Sequence, residues 1–309
     1  MTRLIATTVI HGTEAGEVHG CAYLIDLAKQ EVFRKLGYNA DDVEWFGQEG
    51  GRGLRGITFD RDRVYIAASN KLLAYSKQFR LLKSWSNPYL LNGHGIGIFE
   101  RQLFLASTGN DCILAFDLDK EEFNWGMQIQ SEQFQFRPST FDPQKTDGPL
   151  SINKLNLSSV ECGEQGMHIS GQTTGGVLHF NGGTINMAAE LPAGAQDAKF
   201  FRNGVVFNDS RSGVIRYAGS DEGGEDRAIP IPFFTSSDHR GNDPDEARAL
   251  KRGYARGLCI LSAASVAGGS TPAGVSIYDL RHSKKLLTVN FTKNVSEAIN
   301  SIAVWPEDL

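Results

Sequence analysis

One pattern recurs along this 309-residue chain and leaves few folds open to it. Between Asn92 and Leu118 the sequence N-G-H-G-I-G-I-F-E-R-Q-L-F-L-A-S-T-G-N-D-C-I-L-A-F-D-L reads as three short strands separated by two tight turns, Glu100–Gln102 and Thr108–Asp111. His94 opens the first strand, and apolar residues follow at alternate positions, Ile96 and Ile98. A period of two marks an extended segment that buries one face. The same shape returns at Arg55–Tyr75, with Arg80–Trp85 as a fourth strand, and Glu122–Trp125 supplies the outer strand of the Asn92 copy. A third, irregular copy spans Asn153–Ala193, with a bulge around Cys162–Gly166 and a glycine-rich turn at Gly171–Gly176. Further copies begin at Gln196 and Arg256, and the last, from Asn300, stops after one strand at Trp305.

That truncation has a partner at the other end of the chain. Leu4–Ile10, Gly20–Leu27 and Glu31–Leu36 read as three strands with no inner strand of their own. If the last strand of the chain joins them, a ring closes and no sheet edge is left bare. The expectation is an all-β, six-bladed β-propeller forming a single domain over 1–309, with its last blade built from the N-terminal strands plus the C-terminal one. Two long insertions, 126–150 and 220–252, interrupt it. The 34 glycines, many in short turn clusters, agree with an all-β chain.

Composition narrows the partners. A net charge of −5 argues against a basic groove for nucleic acid. No apolar run reaches membrane-spanning length, and the N-terminal Met1–His11 stretch reads as a strand rather than a leader peptide. Cys21, Cys112, Cys162 and Cys259 are widely spaced and contain no C-x-x-C pair. They read as small apolar strand residues, and a reducing, cytoplasmic location is the default expectation.

Aligning the copies places Arg55, His94, Asn153, Gln196, Arg256 and Asn300 at equivalent positions, each followed by an alternating apolar pair such as Ile57/Phe59 or Leu258/Ile260. The apolar pairs belong between blades, and the polar heads belong at the rim of a central channel. The turns joining second and third strands fall on the same face; they carry His11, Asn110, Gln172, Asp209 and Arg211. Both long insertions lead into inner strands, so they too are expected over this mouth, with Ser236–Asp243 as a lid segment. Arg55 and Arg256 offer paired donors to a carboxylate or phosphate, and His94 titrates near neutrality and suits acid–base work. Asn153, Gln196, Asn300, Asp209, Arg211, Asn110 and His11 are the expected substrate contacts. Asn153, Asn300, Asp197 and Asp209 are also hard oxygen ligands that suit a divalent metal such as calcium. Plainer roles stand beside these. A polar strand head often caps backbone groups, a lone histidine is often a satisfied core residue, and the arginines can pair with Asp197 or Asp209. No nucleophile elbow or P-loop is present, and Gly51–Gly56 runs into a strand rather than a helix, so it is no dinucleotide fingerprint.

Several segments carry a resemblance: H-G-I-G-I-F-E-R-Q-L-F-L-A-S-T-G-N-D-C-I-L-A-F-D (94–117), S-I-N-K-L (151–155), Q-D-A-K-F-F-R-N-G-V-V-F-N-D-S-R-S-G-V-I-R (196–216) and G-Y-A-R-G-L (253–258). They resemble a bacterial family whose members share an I-N-x-L strand, a D-S-x-x-G-x-V turn and a G-[FY]-x-R-G-L strand. More broadly the chain is similar to six-bladed propellers of the SMP-30/gluconolactonase and strictosidine-synthase-like kind. For gluconolactonases that resemblance implies a divalent metal held by Glu, Asn and Asp in the channel. Asn153 matches one such Asn, and no Glu heads an inner strand here. Two functional expectations follow. One is a small-molecule binder or enzyme of hydrolase, lyase or isomerase type, metal- or histidine-assisted, acting on a polar anionic metabolite at the channel mouth. The other is a non-catalytic propeller scaffold that binds a protein partner through its loops.

Overall fold

A computed structural model of the chain describes residues 2–14, 16–39, 52–132, 135–219, 226–232 and 256–307. The lid segment Ser236–Asp243 and most of the 220–252 insertion lie outside these residues. The described residues form twenty-five strands, β1 to β25 in chain order, in six antiparallel sheets. Five sheets have four strands and one has five, and in all but one the strands are neighbours in sequence order. The last strand of the chain completes the sheet made by the first three. This is the architecture of a six-bladed β-propeller. The chain groups into two compact units, Met1–Leu54 with Asp197–Leu309 (the terminal unit) and Arg55–Gln196 (the middle unit).

In the terminal unit, β25 (Glu297–Val304) pairs antiparallel with β1 (Arg3–Ile10), which continues to β2 (Gly20–Asp26) and β3 (Glu31–Tyr38). The closure expected from the truncated last repeat is thus realised in register, Leu4 opposite Val304 and Ile10 opposite Glu297. The remaining sheets of this unit are β17–β20, with inner strand β17 (Ala195–Phe201), and β21–β24, with inner strand β21 (Arg256–Ile260). Leu4, Ile25, Val275, Ile299 and Ile302 form one buried cluster; Phe201, Val206, Ile215, Leu258 and Tyr278 form another.

The middle unit holds three sheets: β4 (Leu54–Asp60) to β7 (Leu81–Ser86), β8 (Gly93–Phe99) to β12 (Gln135–Phe141), and β13 (Leu157–Gly163) to β16 (Ile185–Glu190). Its cores join alternate residues of successive sheets: Tyr65, Leu72, Leu103, Leu114 and Phe116 in one cluster, Ile113, Met127, Leu157, Ile169 and Leu178 in the other. The expected loop at 126–150 is instead mostly strand. β11 runs from Glu122 to Glu132 and turns back as β12 (Gln135–Phe141), giving this sheet its fifth strand. The reason is that Met127 and Ile129, buried in the core cluster, extend the alternation of β11 past Trp125. Pro138 in β12 is compatible with a position at the sheet edge.

One recurrent device closes the turns between third and fourth strands. Asp26, Asp117 and Asp279 each end a third strand and accept hydrogen bonds from backbone N–H groups two and three residues on. Asn181 uses the same geometry in a further sheet, and in another Ser76 Oγ accepts the N–H groups of Gln78 and Arg80, two and four residues on. Short polar side chains can bond their own backbone in this way, which sets the turn. The L-I-D-L, A-F-D-L and I-Y-D-L sequences are the local signature of three of them.

The cysteines behave as the sequence suggests. All four are free and lie in strands, and burial pushes the Cys112 and Cys162 thiols up to about 12, which keeps them protonated and unreactive. Among the described residues no helix is long and apolar enough to cross a membrane.

Candidate functional site

The middle unit brings two of the predicted residues together through glycine. β4 (Leu54–Asp60) and β8 (Gly93–Phe99) belong to successive sheets, yet a Cβ at Gly56 would lie 2.1 Å from the His94 carbonyl oxygen. The same strand repeats the device on its other side. A Cβ at Gly95 would meet Ser159 Cα at 2.6 Å and Ser158 O at 2.7 Å, and one at Gly97 would meet Val160 O at 2.9 Å, both in or beside β13 (Leu157–Gly163). Gly56 of β4 and Gly95 and Gly97 of β8 therefore let three inner strands pass backbone to backbone. At that separation the side chains at the strand heads meet, and Arg55 Nη1 hydrogen-bonds His94 Nε2. A guanidinium has donors only, so Nε2 is the acceptor and the imidazole carries its proton on Nδ1. Arg55 is 2% exposed and His94 is partly exposed. A cation shielded from solvent thus backs a neutral imidazole that solvent reaches.

Asn153 does not share this position. It is exposed, four residues ahead of β13, where a longer connection replaces the expected strand head. That connection is organised by Asp111, which sequence reasoning passed over. Asp111 Oδ2 accepts the backbone N–H groups of Lys154 (2.5 Å) and Leu155 (2.9 Å), and Ser151 Oγ donates to Gly109 O at 2.8 Å. Burial raises the Asp111 carboxyl above its ordinary range despite those donors. Asn110, expected at the mouth, is buried; its Nδ2 donates to Tyr89 O (2.8 Å), and its backbone carbonyl accepts from Gln128 Nε2 (3.1 Å). Its side-chain amide nitrogen is spent on loop backbone.

The terminal unit assembles a second pair. Asp197, in the left-handed region at φ 52, follows the buried Gln196 in β17. Its Oδ2 accepts Asn208 Nδ2 (3.0 Å) and the Gly257 N–H (2.8 Å). Desolvation raises its carboxyl; these hydrogen bonds and then the charge of Arg256 act in the opposite direction. Asp197 is therefore the electrostatic partner of Arg256, one of the two acids the sequence offered. The other, Asp209, belongs elsewhere: its Oδ1 accepts the Arg211 and Ser212 N–H groups (3.1 and 3.0 Å) and its Oδ2 accepts Arg216 Nε at 2.8 Å. Burial pushes the Asp209 carboxyl up, but the Ser212 and Arg216 contacts more than offset it and leave it below the usual range. Arg211 is exposed, Asn300 is buried within β25, and His11, at the end of β1, is partly exposed with its backbone N–H on Ser296 O.

A divalent cation needs several free oxygen ligands in convergence. Asp197 and Asp209 have the commitments just described, and among the described residues no three His, Cys, Asp or Glu side chains are grouped to hold a metal. These two carboxylates therefore do not fit the role of calcium ligands without giving up their present partners.

No known protein family matches the chain, and no curated protein matches it in sequence. Solved structures do match it in shape. A protein of unknown function from Bacteroides caccae superimposes with a TM-score of 0.62 at 11% identity over 99% of both chains. A chain from a nidogen/laminin complex does so with a TM-score of 0.58 at 14% identity over 98% of both chains. At such identities the likeness is one of fold alone. A six-bladed β-propeller is the class that architecture and comparison jointly define.

Proposed function

We propose that this chain binds a small polar, anionic metabolite at the channel-mouth end of its inner strands, with His94 as the contact group and Arg55 as its buried positioning partner. The observation that carries this reading is the Arg55–His94 hydrogen bond. The guanidinium orients the imidazole and adds positive potential where an anion would arrive. With Nε2 engaged by Arg55, His94 offers its Nδ1–H to the anion as a hydrogen-bond donor, and histidine-assisted hydrolysis, elimination or isomerisation requires Arg55 to release Nε2. Kinship with gluconolactonase-like propellers of bacteria belongs to the same reading. The metal it would add is not used in this mechanism, because Asp197 and Asp209 are already committed. The four free thiols support a reducing, cytoplasmic setting.

A thermal-shift screen of carboxylate and phosphate metabolites tests this. At least one anion is expected to raise the Tm of the native chain, and His94→Gln, with an unchanged Tm of its own, to abolish that rise. A His94→Gln chain that responds to ligand as the native chain does overturns the assignment; one that melts far earlier makes His94 structural. One observation favours a second reading, a scaffold for a protein partner: a structural neighbour was solved within a complex of two different proteins. Co-purification of a stable partner, with no anion stabilising the chain, would select it.

A further inference from the structure

At the opposite end of the terminal unit's strands from Arg256 and Asp197 lies a half-open recess of about 240 Å³. It forms where the turn between β17 and β18 (Gly204–Asp209), at Arg202 and Asn203, meets the head of β20 (Arg227–Pro230) and the turn after β23 (Gly274–Asp279). Arg202, Arg227 and Arg281 line it, with Phe201 and Tyr217 as aromatic wall. Three features make this more than a charged surface. Arg227 Nη1 is pinned to the carbonyl oxygens of Leu280 and Arg281, bonds that hold its guanidinium in place at the wall of the recess. The Arg202 guanidinium lies over the Phe201 ring, 5.5 Å from its centroid, and among the described residues neither Arg202 nor Arg281 makes a salt bridge. The aromatic wall is rigid, since Phe201 and Tyr217 meet edge to face at 5.9 Å and the Tyr217 hydroxyl donates to Asn203 Oδ1 at 2.9 Å.

In a chain of net charge −5, such a concentration of cations selects a compact anion. Guanidinium forks match phosphate oxygens, and a phosphoryl dianion offers three terminal oxygens to three arginines, where a carboxylate offers two. The volume falls below the ~300–1,000 Å³ common for ligand pockets, which leaves room for a phosphoryl group and little more than one ring. We propose that this recess is a site for a small aryl phosphate monoester, its phosphoryl group held by Arg202, Arg227 and Arg281 and its ring against Phe201 and Tyr217.

Phenyl phosphate, inorganic phosphate and benzoate serve as probes, titrated by calorimetry and NMR at low salt. Phenyl phosphate should saturate with a Kd on the order of 1 mM or below, at least tenfold tighter than benzoate and several-fold tighter than phosphate. The exposed pair R202A/R281A should weaken it at least tenfold with Tm unchanged. Raising the salt should weaken it further. Unchanged affinity in R202A/R281A overturns the proposal, as does the lack of saturation below ~10 mM. Equal binding of benzoate removes the phosphoryl assignment. Loss of binding in H94Q but not in R202A/R281A would place the anion at the channel mouth and end this proposal as well.

Discussion

Closure of the first sheet depends on one buried carboxylate, and its removal should be costly. Glu297, 4% exposed on β25, accepts the Thr8 hydroxyl at 2.8 Å and the Tyr23 hydroxyl at 2.9 Å, both on Oε1. Thr8 Oγ in turn accepts the Cys21 N–H at 2.9 Å. The network thereby ties the end of the chain to its first two strands across 289 residues of sequence. A hydrogen bond to a charged group contributes about 1.5–3 kcal/mol, and a buried hydroxyl left without its acceptor adds a desolvation cost. Glu297→Ala breaks two such bonds and opens space, so a loss of roughly 3–5 kcal/mol is expected. Glu297→Gln keeps an acceptor oxygen but not the charge, and should cost about 1–2 kcal/mol. At about 2 °C per kcal/mol for a chain of this size, Glu297→Ala should lower the Tm by about 6–10 °C. Urea denaturation supplies the free energies, and a double-mutant cycle of Glu297→Gln with Thr8→Val isolates the coupling, expected to exceed ~0.5 kcal/mol. Glu297→Ala within ~0.5 kcal/mol of the native chain, or strict additivity in the cycle, would refute the argument.

Other outcomes follow from the same geometry. Gly95→Ala places a Cβ against backbone atoms of Ser158 and Ser159 and should destabilise by roughly 1–3 kcal/mol, whereas Gly163→Ala, with open space around its Cβ, should change the urea midpoint little. His168 stacks on His179, ring centroids 4.8 Å apart, and burial, then the His179 charge, lowers its pKa from 6.5. The unfolded chain therefore binds the proton first as pH falls below that value, and stability should drop on acidification. In His168→Gln that pH dependence should flatten in urea midpoints taken between pH 7.5 and pH 5. The Asp209 carboxyl, held below 3.8, contributes stability that is present above that value and lost as pH falls through the folded pKa. Asp209→Asn should lose that acid-side dependence while keeping the backbone turn, which far-ultraviolet circular dichroism against pH can follow.

Much of the architecture was legible because it is written locally. Alternation at Ile96/Ile98 or Leu258/Ile260 is a property of a few consecutive residues, and the repeat spacing supplied the blade count and the orphan strands at the two ends. The same locality explains why the strands within 126–150 were not foreseen. Two turns of alternation in Met127 and Ile129, with Pro138 beyond them, carried too weak a period to announce β11 and β12. Gly56, Gly95 and Gly97 were visible, but their purpose, the close passage of β4, β8 and β13, was not.

What the chain determines by itself, then, is the repeated strand pattern, the six sheets and the strand that completes the first of them. Partners of the polar residues were decided only in three dimensions. Arg55 and His94 were aligned by sequence as equivalent strand heads, yet nothing local made them bond, nor assigned Asp197 rather than Asp209 to Arg256. Glu297 carries no signal in its neighbourhood, since its donors, Thr8 and Tyr23, lie at the far end of the chain. Periodicity is set by which face of a strand is buried, so it can be read along the chain. Hydrogen-bonding partnership depends on which polar groups come within about 3 Å of each other, and that proximity exists only once the sheets have packed.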